Sequence, residues 1–114
     1  MTEEVFPVCS PALLQGPHPL RKPEDLRFHT LLHDDMRENW QIWLLAAGVE
    51  GVDPERGPGY NLSDLVINAA VDGQGVALAR SALLGDHLAT GRLVRPFAVE
   101  LPAEFDDLFE AHEM

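Results

Sequence analysis

Positive charge is scarce in this chain. Its 114 residues carry 8 Lys and Arg against 19 Asp and Glu, a formal net charge of -11, and the cationic residues form no cluster of any length. Such a surface repels phosphate backbones, so direct nucleic-acid contact by these residues is not expected. Cysteine is nearly absent: Cys9 alone cannot close an internal disulfide, which fits a reducing, cytoplasmic setting. No apolar run is long enough to span a bilayer. The amino terminus, opening on Thr2-Glu3-Glu4, lacks the basic stretch and apolar run of a secretory signal. A membrane role is therefore not expected. Internal repeats and low-complexity tracts are also missing, and the length suits one domain near the small end of what folds unaided.

What the chain does have is concentrated between Tyr60 and Arg80, YNLSDLVINAAVDGQGVALAR. Asn61, Ser63 and Asp64 mark a helix start; Leu65 to Val71 are apolar on nearly every side; Asp72-Gly73-Gln74-Gly75 is a stop; Val76 to Leu78 read as a short buried strand. A helix apolar all round predicts cover on both of its faces. Helix and strand together make half of an α/β layer.

The other elements follow from local signals. Val5 to Cys9 reads as a strand, at an edge or a crossing point because Pro7 has no N-H to give. Ser10 caps a single turn that starts at Pro11, and Pro23-Glu24-Asp25-Leu26 opens another, with carboxylates where the helix dipole is positive. Thr30 to His33 is the next strand. Asp35-Met36-Arg37-Glu38 fits a capping box for a helix reaching about Ala47, with Gly48 as its stop and Trp40, Trp43, Leu44 and Ala47 on its buried stripe. Asp53 to Tyr60 is a turn-rich connector. Beyond the Val76 strand, Ser81 is expected to cap a helix through His87 and Leu88 that Gly91 ends, and Leu93 to Phe97 form a last strand.

Several of these segments carry a resemblance in register. The run Asn61 to Arg80, the continuation Ser81 to Phe97 ending in LATGRLVRPF, FPVCSPALL at Phe6 to Leu14, KPEDL at Lys22 to Leu26 and TLLHDD at Thr30 to Asp35 resemble the effector-binding domain of LysR-type transcriptional regulators, in its glycine-cleavage-activator-like branch. The resemblance covers roughly residues 4 to 103. It implies an α/β fold: one subdomain, the second, of a periplasmic-binding-protein-like (type 2) effector domain, with a small, mainly parallel sheet flanked by helices. Residues 1-103 are then that subdomain and residues 104-114 a divergent acidic tail, in which Phe105, Leu108 and Phe109 have the spacing of a short amphipathic helix.

By the same resemblance the chain senses a small-molecule effector in a cleft between two subdomains, without the helix-turn-helix that reads DNA. It is not expected to be an enzyme or to need a cofactor. The segment leading into the helix at Ser63, with Asn61 and Asp64, and the strand end at His33 and Asp34 would line the cleft. Free N-H groups at a helix start suit an anion, while the plain alternative is that Ser63 caps its own helix. A half-cleft buries little of a ligand, so effector binding by this stretch alone is expected to be weak. Uncovered edges predict a homo-oligomer or pairing with a full-length regulator.

Two other classes compete: a small interaction protein that pairs with complete regulators, and a metal-dependent enzyme built on His29, His33, Asp34 and Asp35. Imidazole and carboxylate are metal ligands, but a strand over Thr30 to His33 sets residues four apart far from each other, so no metal site is expected. Asp72 to Gly75 follows a helix and precedes a strand, the reverse of a phosphate-cradling loop. Cys9 has no base or cation beside it and reads as an inert thiol.

Overall fold

The strands β1 (Val5–Val8), β2 (Leu31–Leu32) and β3 (Val76–Arg80) form one sheet in the order β1-β3-β2. They belong to a computed structural model that describes residues 5–34, 38–81 and 84–97. Every residue of β1 is buried, and Pro7 stands opposite Leu78 on an edge strand, where its missing N-H costs no second ladder. The expected α/β class is found, with one difference inside it. β1 runs antiparallel to β3, from Val5 opposite Arg80 to Val8 opposite Ala77, while β2 runs parallel to it. The sheet is therefore mixed. Helices sit between β2 and β3, as parallel neighbours require, whereas β1 is not consecutive with β3 and nothing imposes that direction on it.

Strand side chains alternate between the two faces. Phe6, Val8, Leu32, Ala77 and Ala79 pack with Val66, Ile67, Ala69 and Ala70 of helix α2 (Ser63–Val71). Val5, Leu31 and Val76 pack with Leu26 and with Trp40, Trp43 and Leu44 of helix α1 (Glu38–Ala47). Trp40 and Trp43 meet edge to face, ring centres 5.8 Å apart at 79°, an arrangement their quadrupoles favour. It is thus the sheet that is covered on both sides. Helix α2 is not: Asp64, Leu65 and Asn68 are exposed, Leu65 at 44%, because only one sheet face lies against it.

Helix ends follow their punctuation. Gly48 takes φ 71 after α1, its N-H donating to Leu45 O and that of Val49 to Leu44 O. Gly73 at φ 80 closes α2. The proline-led segments are short 3-10 helices, Pro11–Leu14 and Pro23–Phe28, the first capped by Ser10 Oγ accepting from Ala12 N at 3.3 Å. The capping box at Asp35 falls on residues 35–37, outside the described residues, as does the tail at 104–114.

Two expected elements differ. No helix runs through residues 84–91, of which 85–91 are successive turns; Gly85 at φ +56 takes the chain out of helical geometry at their start. Instead of a strand over Leu93 to Phe97 there is a single bridge. Cys9 and Val94 exchange both backbone bonds, at 3.1 and 2.9 Å, and Pro96 has no N-H with which to extend the ladder.

Candidate functional site at the carboxyl end of the parallel strands

His33 closes β2 and is the hub of this end of the sheet. Its N-H donates to Pro58 O at 3.0 Å, and its carbonyl accepts from Tyr60 N at 2.8 Å, which adds the Pro58–Tyr60 segment to β2 as a short parallel bridge. Its ring Nε2 bonds Arg56 O at 2.7 Å. A carbonyl only accepts, so Nε2 carries the proton. With 2% exposure the imidazole is part of the core.

Arg56 holds that loop in place. Its guanidinium donates to Leu26 O at 2.9 Å, to Arg27 O at 3.1 Å and to His29 O, three carbonyls at the end of the Pro23–Phe28 segment, of which Leu26 O also accepts from His29 N. One side chain thereby ties residues 26–29 to the loop that grips His33. Gly57 beside it takes φ +103 and lies against the backbone of Leu31, where a side chain would collide with the Leu31 carbonyl.

Asp34 is half-buried, and with Leu32, His33, Asn39, Trp40 and Leu78 it lines a small cleft of about 10 Å³ at the end of β2 and beside the first turn of α1. The Trp40 indole N-H donates to Leu32 O at 3.0 Å. Asn39 is 8% exposed, and its Oδ1 is shielded from solvent without a hydrogen-bond partner.

The start of α2 lies next along the chain. Tyr60 pairs with His33, and Asn61 follows it, exposed. Leu62 holds the N-cap position, at φ -134 and ψ 140, and Ser63 is the first helical residue, so the cap falls one residue before the expected Ser63. A leucine side chain accepts nothing; only its carbonyl is used, by the N-H groups of Leu65 and Val66. Asp64 in the first turn is exposed. The two groups of residues expected at a ligand site, His33-Asp34 and Asn61-Ser63-Asp64, therefore stand on backbone segments joined by the His33–Tyr60 pair.

The other candidates lie elsewhere. His29 Nε2 bonds His18 O at 2.8 Å, His18 stacks on Phe28 with ring centres 4.2 Å apart, and among the described residues no three His, Cys, Asp or Glu side chains gather where they could hold a metal. Cys9 is fully buried, and burial pushes its thiol up to about 11, so no thiolate nucleophile forms near neutrality. Gly75 comes so close to Thr30 O that a side chain would not fit, which makes the DGQG run a packing feature. Asn39 escaped the reading of the sequence although a signal was there, since it stands four residues before Trp43 and so on the buried stripe of α1. Arg56 offered no local signal, because its partners lie 27 to 30 residues away.

Helices on both faces of a sheet, with a cleft outside the carboxyl ends of its parallel strands, form the α/β architecture in which small molecules are bound at strand ends. Comparison with known proteins narrows the class. The family model for the LysR substrate binding domain matches residues 1–106. The glycine cleavage system transcriptional activator of Escherichia coli K12 is 46% identical over 95 residues, 83% of this chain and 31% of that protein. The transcriptional activator AmpR of Pseudomonas aeruginosa is 39% identical over 83 residues, 72% of this chain and 28% of the activator. Among solved structures, the AmpR effector domain of Pseudomonas aeruginosa superposes with a TM-score of 0.73 at 33% identity, over 89% of this chain and 46% of that one. The AmpR effector binding domain of Citrobacter freundii gives 0.75 at 27% identity, over 88% and 49%. The chain belongs to the LysR substrate-binding domain family. It spans about a third of the curated relatives it matches and about half of the solved effector domains. Its relatives are transcriptional regulators, and among the described residues no helix is long and apolar enough to cross a membrane.

Proposed function

We propose that this chain is the effector-sensing part of a LysR-type transcriptional regulator, residues 1–103 being the second lobe of a two-lobed domain and residues 104–114 an acidic tail. The small molecule lies against the carboxyl end of β2 and the start of α2, in contact with His33, Asp34, Asn61, Ser63 and Asp64. The observation that carries this reading is the backbone pairing of His33 with Tyr60, which holds both groups of residues at the strand end where α/β folds bind ligands. The Ser63 and Asp64 N-H groups at a helix start capped by leucine support it. The chain signals by shifting a regulator between two arrangements instead of by catalysis. It acts in the cytoplasm, and DNA is contacted by other parts of the regulator.

The test is a regulator that carries this chain as its second lobe, screened against small metabolites by melting temperature. A stabilising metabolite whose effect Asn61→Ala and His33→Ala each reduce at least about tenfold in affinity supports the reading. A metabolite that stabilises wild type and both variants alike refutes the placement.

Pairing between copies is the second part of the proposal. Leu45 and Leu62, 72% and 60% exposed, leave apolar surface for a further copy or a full-length regulator to cover. Light scattering that gives a monomer at high concentration counts against it.

A further inference from the structure

Phe28, Leu45, Leu62, Leu65 and Leu88 are the large apolar side chains left exposed among the described residues. The charges beside them differ. Helix α1, which carries Leu45, holds Glu38 and no Lys or Arg, and helix α2, with Leu65 and its cap Leu62, holds Asp64 and no Lys or Arg. Arg92, four residues after Leu88, is committed to Asp86 at 2.6 Å. At Phe28 the balance is reversed. The Arg27 guanidinium lies 4.7 Å from the centre of its ring, and His18 stacks on that ring at 4.2 Å. Arg21, Lys22 and Arg27 are all exposed on this segment. Asp25 spends its Oδ2 on the backbone N-H groups of Arg21 and Lys22, 3.2 Å each, and among the described residues none of the three cations has a carboxylate in ion-pair contact. In a chain of net charge -11 this is a surface that attracts acidic groups.

The chain itself carries a segment of matching chemistry. Residues 104–114 hold Glu104, Asp106, Asp107, Glu110 and Glu113, no Lys or Arg, and the apolar side chains Phe105, Leu108 and Phe109 at helical spacing. The exposed leucines on α1 and α2 offer such a segment apolar contact beside like charge, whereas Phe28 offers it beside opposite charge. The point of departure also suits it. The Phe97 ring lies 5.9 Å from that of Trp43, and Trp43 packs in one cluster with Leu26, two residues before Phe28. Eight residues lead from Phe97 to Phe105, an extended reach of up to about 27 Å.

We propose that residues 104–114 dock on the Pro23–Phe28 segment of their own chain, with Phe105 and Phe109 against Phe28 and the carboxylates of Asp106, Asp107 and Glu110 facing Arg21, Lys22 and Arg27. Exposed ion pairs contribute little each, so the contact is a populated equilibrium, suited to a method that weights close approach. A docked tail sits on the segment whose carbonyls Arg56 ties to the loop gripping His33. The proposal is independent of the effector reading, whose residues lie at the strand end.

The test uses the whole 114-residue chain, ¹⁵N-labelled, with a nitroxide attached at Ala111→Cys. Cys9, fully buried with its thiol raised to about 11, does not take the label. The nitroxide is expected to broaden the amide signals of residues 21–28, and to leave them sharp when it sits on a separate ¹⁴N chain mixed with an unlabelled ¹⁵N one. Arg27→Glu, at an exposed position, is expected to lower the relaxation enhancement about twofold or more. If that variant misfolds, Lys22→Glu, also exposed, is expected to do the same. The proposal is overturned if residues 21–28 stay sharp, if broadening centres instead on Leu45 or on Leu62 and Leu65, if the separate chain broadens residues 21–28 as strongly, or if a folded Arg27→Glu or Lys22→Glu chain is broadened like its parent. Each of these outcomes leaves the effector reading standing, because that reading is tested by metabolite binding at other residues.

Discussion

Replacing Arg56 by methionine keeps the aliphatic stem and removes the guanidinium that donates to the carbonyls of Leu26, Arg27 and His29. Two of these bonds are partly buried, and in the variant the carbonyls face a thioether. Hydrogen bonds with a charged donor contribute about 1.5–3 kcal/mol each. The three share one half-exposed group and do not add, so the expected loss is about 2–3 kcal/mol. For a domain of this size that lowers the melting temperature by roughly 10–20 °C. Urea unfolding followed by the fluorescence of the buried pair Trp40 and Trp43 gives the free energy. Amide hydrogen exchange at His33 and Tyr60, whose N-H groups bond across the gripped loop, reports the local effect and should speed up beyond the global change. Arg56→Lys should recover little, because an ammonium is a single point and cannot span three carbonyls. A loss below about 0.5 kcal/mol, the scale of an unremarkable surface change, with unaltered exchange at His33 would refute the view that Arg56 organises this end of the sheet.

Gly57→Ala should destabilise by several kcal/mol, or abolish folding, since its φ of +103 and its contact with Leu31 leave no space for a methyl group; circular dichroism melting checks it, and a variant as stable as wild type would contradict the loop geometry. Trp43→Ala should cost about 3–5 kcal/mol, the range for a large aromatic removed from a core, as measured by urea unfolding. Cys9 should resist an aromatic disulfide reagent at pH 8 in the folded chain and react at once in denaturant. Because its folded value is raised from 9.0 to about 11, the stability it contributes is complete below pH 9 and lost as pH rises toward 11. Cys9→Ala should flatten that part of the stability profile.

The sequence made visible whatever depends on neighbours along the chain. Ser10 and Pro11 start a turn, Gly48 and Gly73 stop helices, apolar and β-branched runs bounded by turn signals mark the strands at Val5 and Val76, the second running two residues past the expected Leu78, and the spacing of Trp40, Trp43 and Leu44 gives the buried face of α1. Pro7 restricted β1 to an edge or a crossing point, but not the direction in which it runs. The helix expected from Ser81 gives way to turns because Gly85 adopts a positive φ, which a propensity reading does not reveal. The candidate site was half legible. His33, Asp34 and the start of α2 were expected together from resemblance alone, and what joins them is tertiary: the Pro58–Tyr60 bridge and the Arg56 clasp, both closed over more than twenty residues. Asn39 was overlooked because a polar residue on a buried stripe becomes conspicuous only when the atoms that surround it are known.

The measurement that tests the effector-lobe account most directly is a backbone amide shift map of this chain during titration with the metabolite that stabilises the corresponding regulator. The account predicts weak, saturable shifts concentrated at residues 33–34, 39–40 and 61–64, the carboxyl end of β2 and the two helix starts beside it. Shifts centred on the opposite end of the sheet, around Gly73 to Val76, with residues 33–34 and 61–64 unmoved, would contradict it.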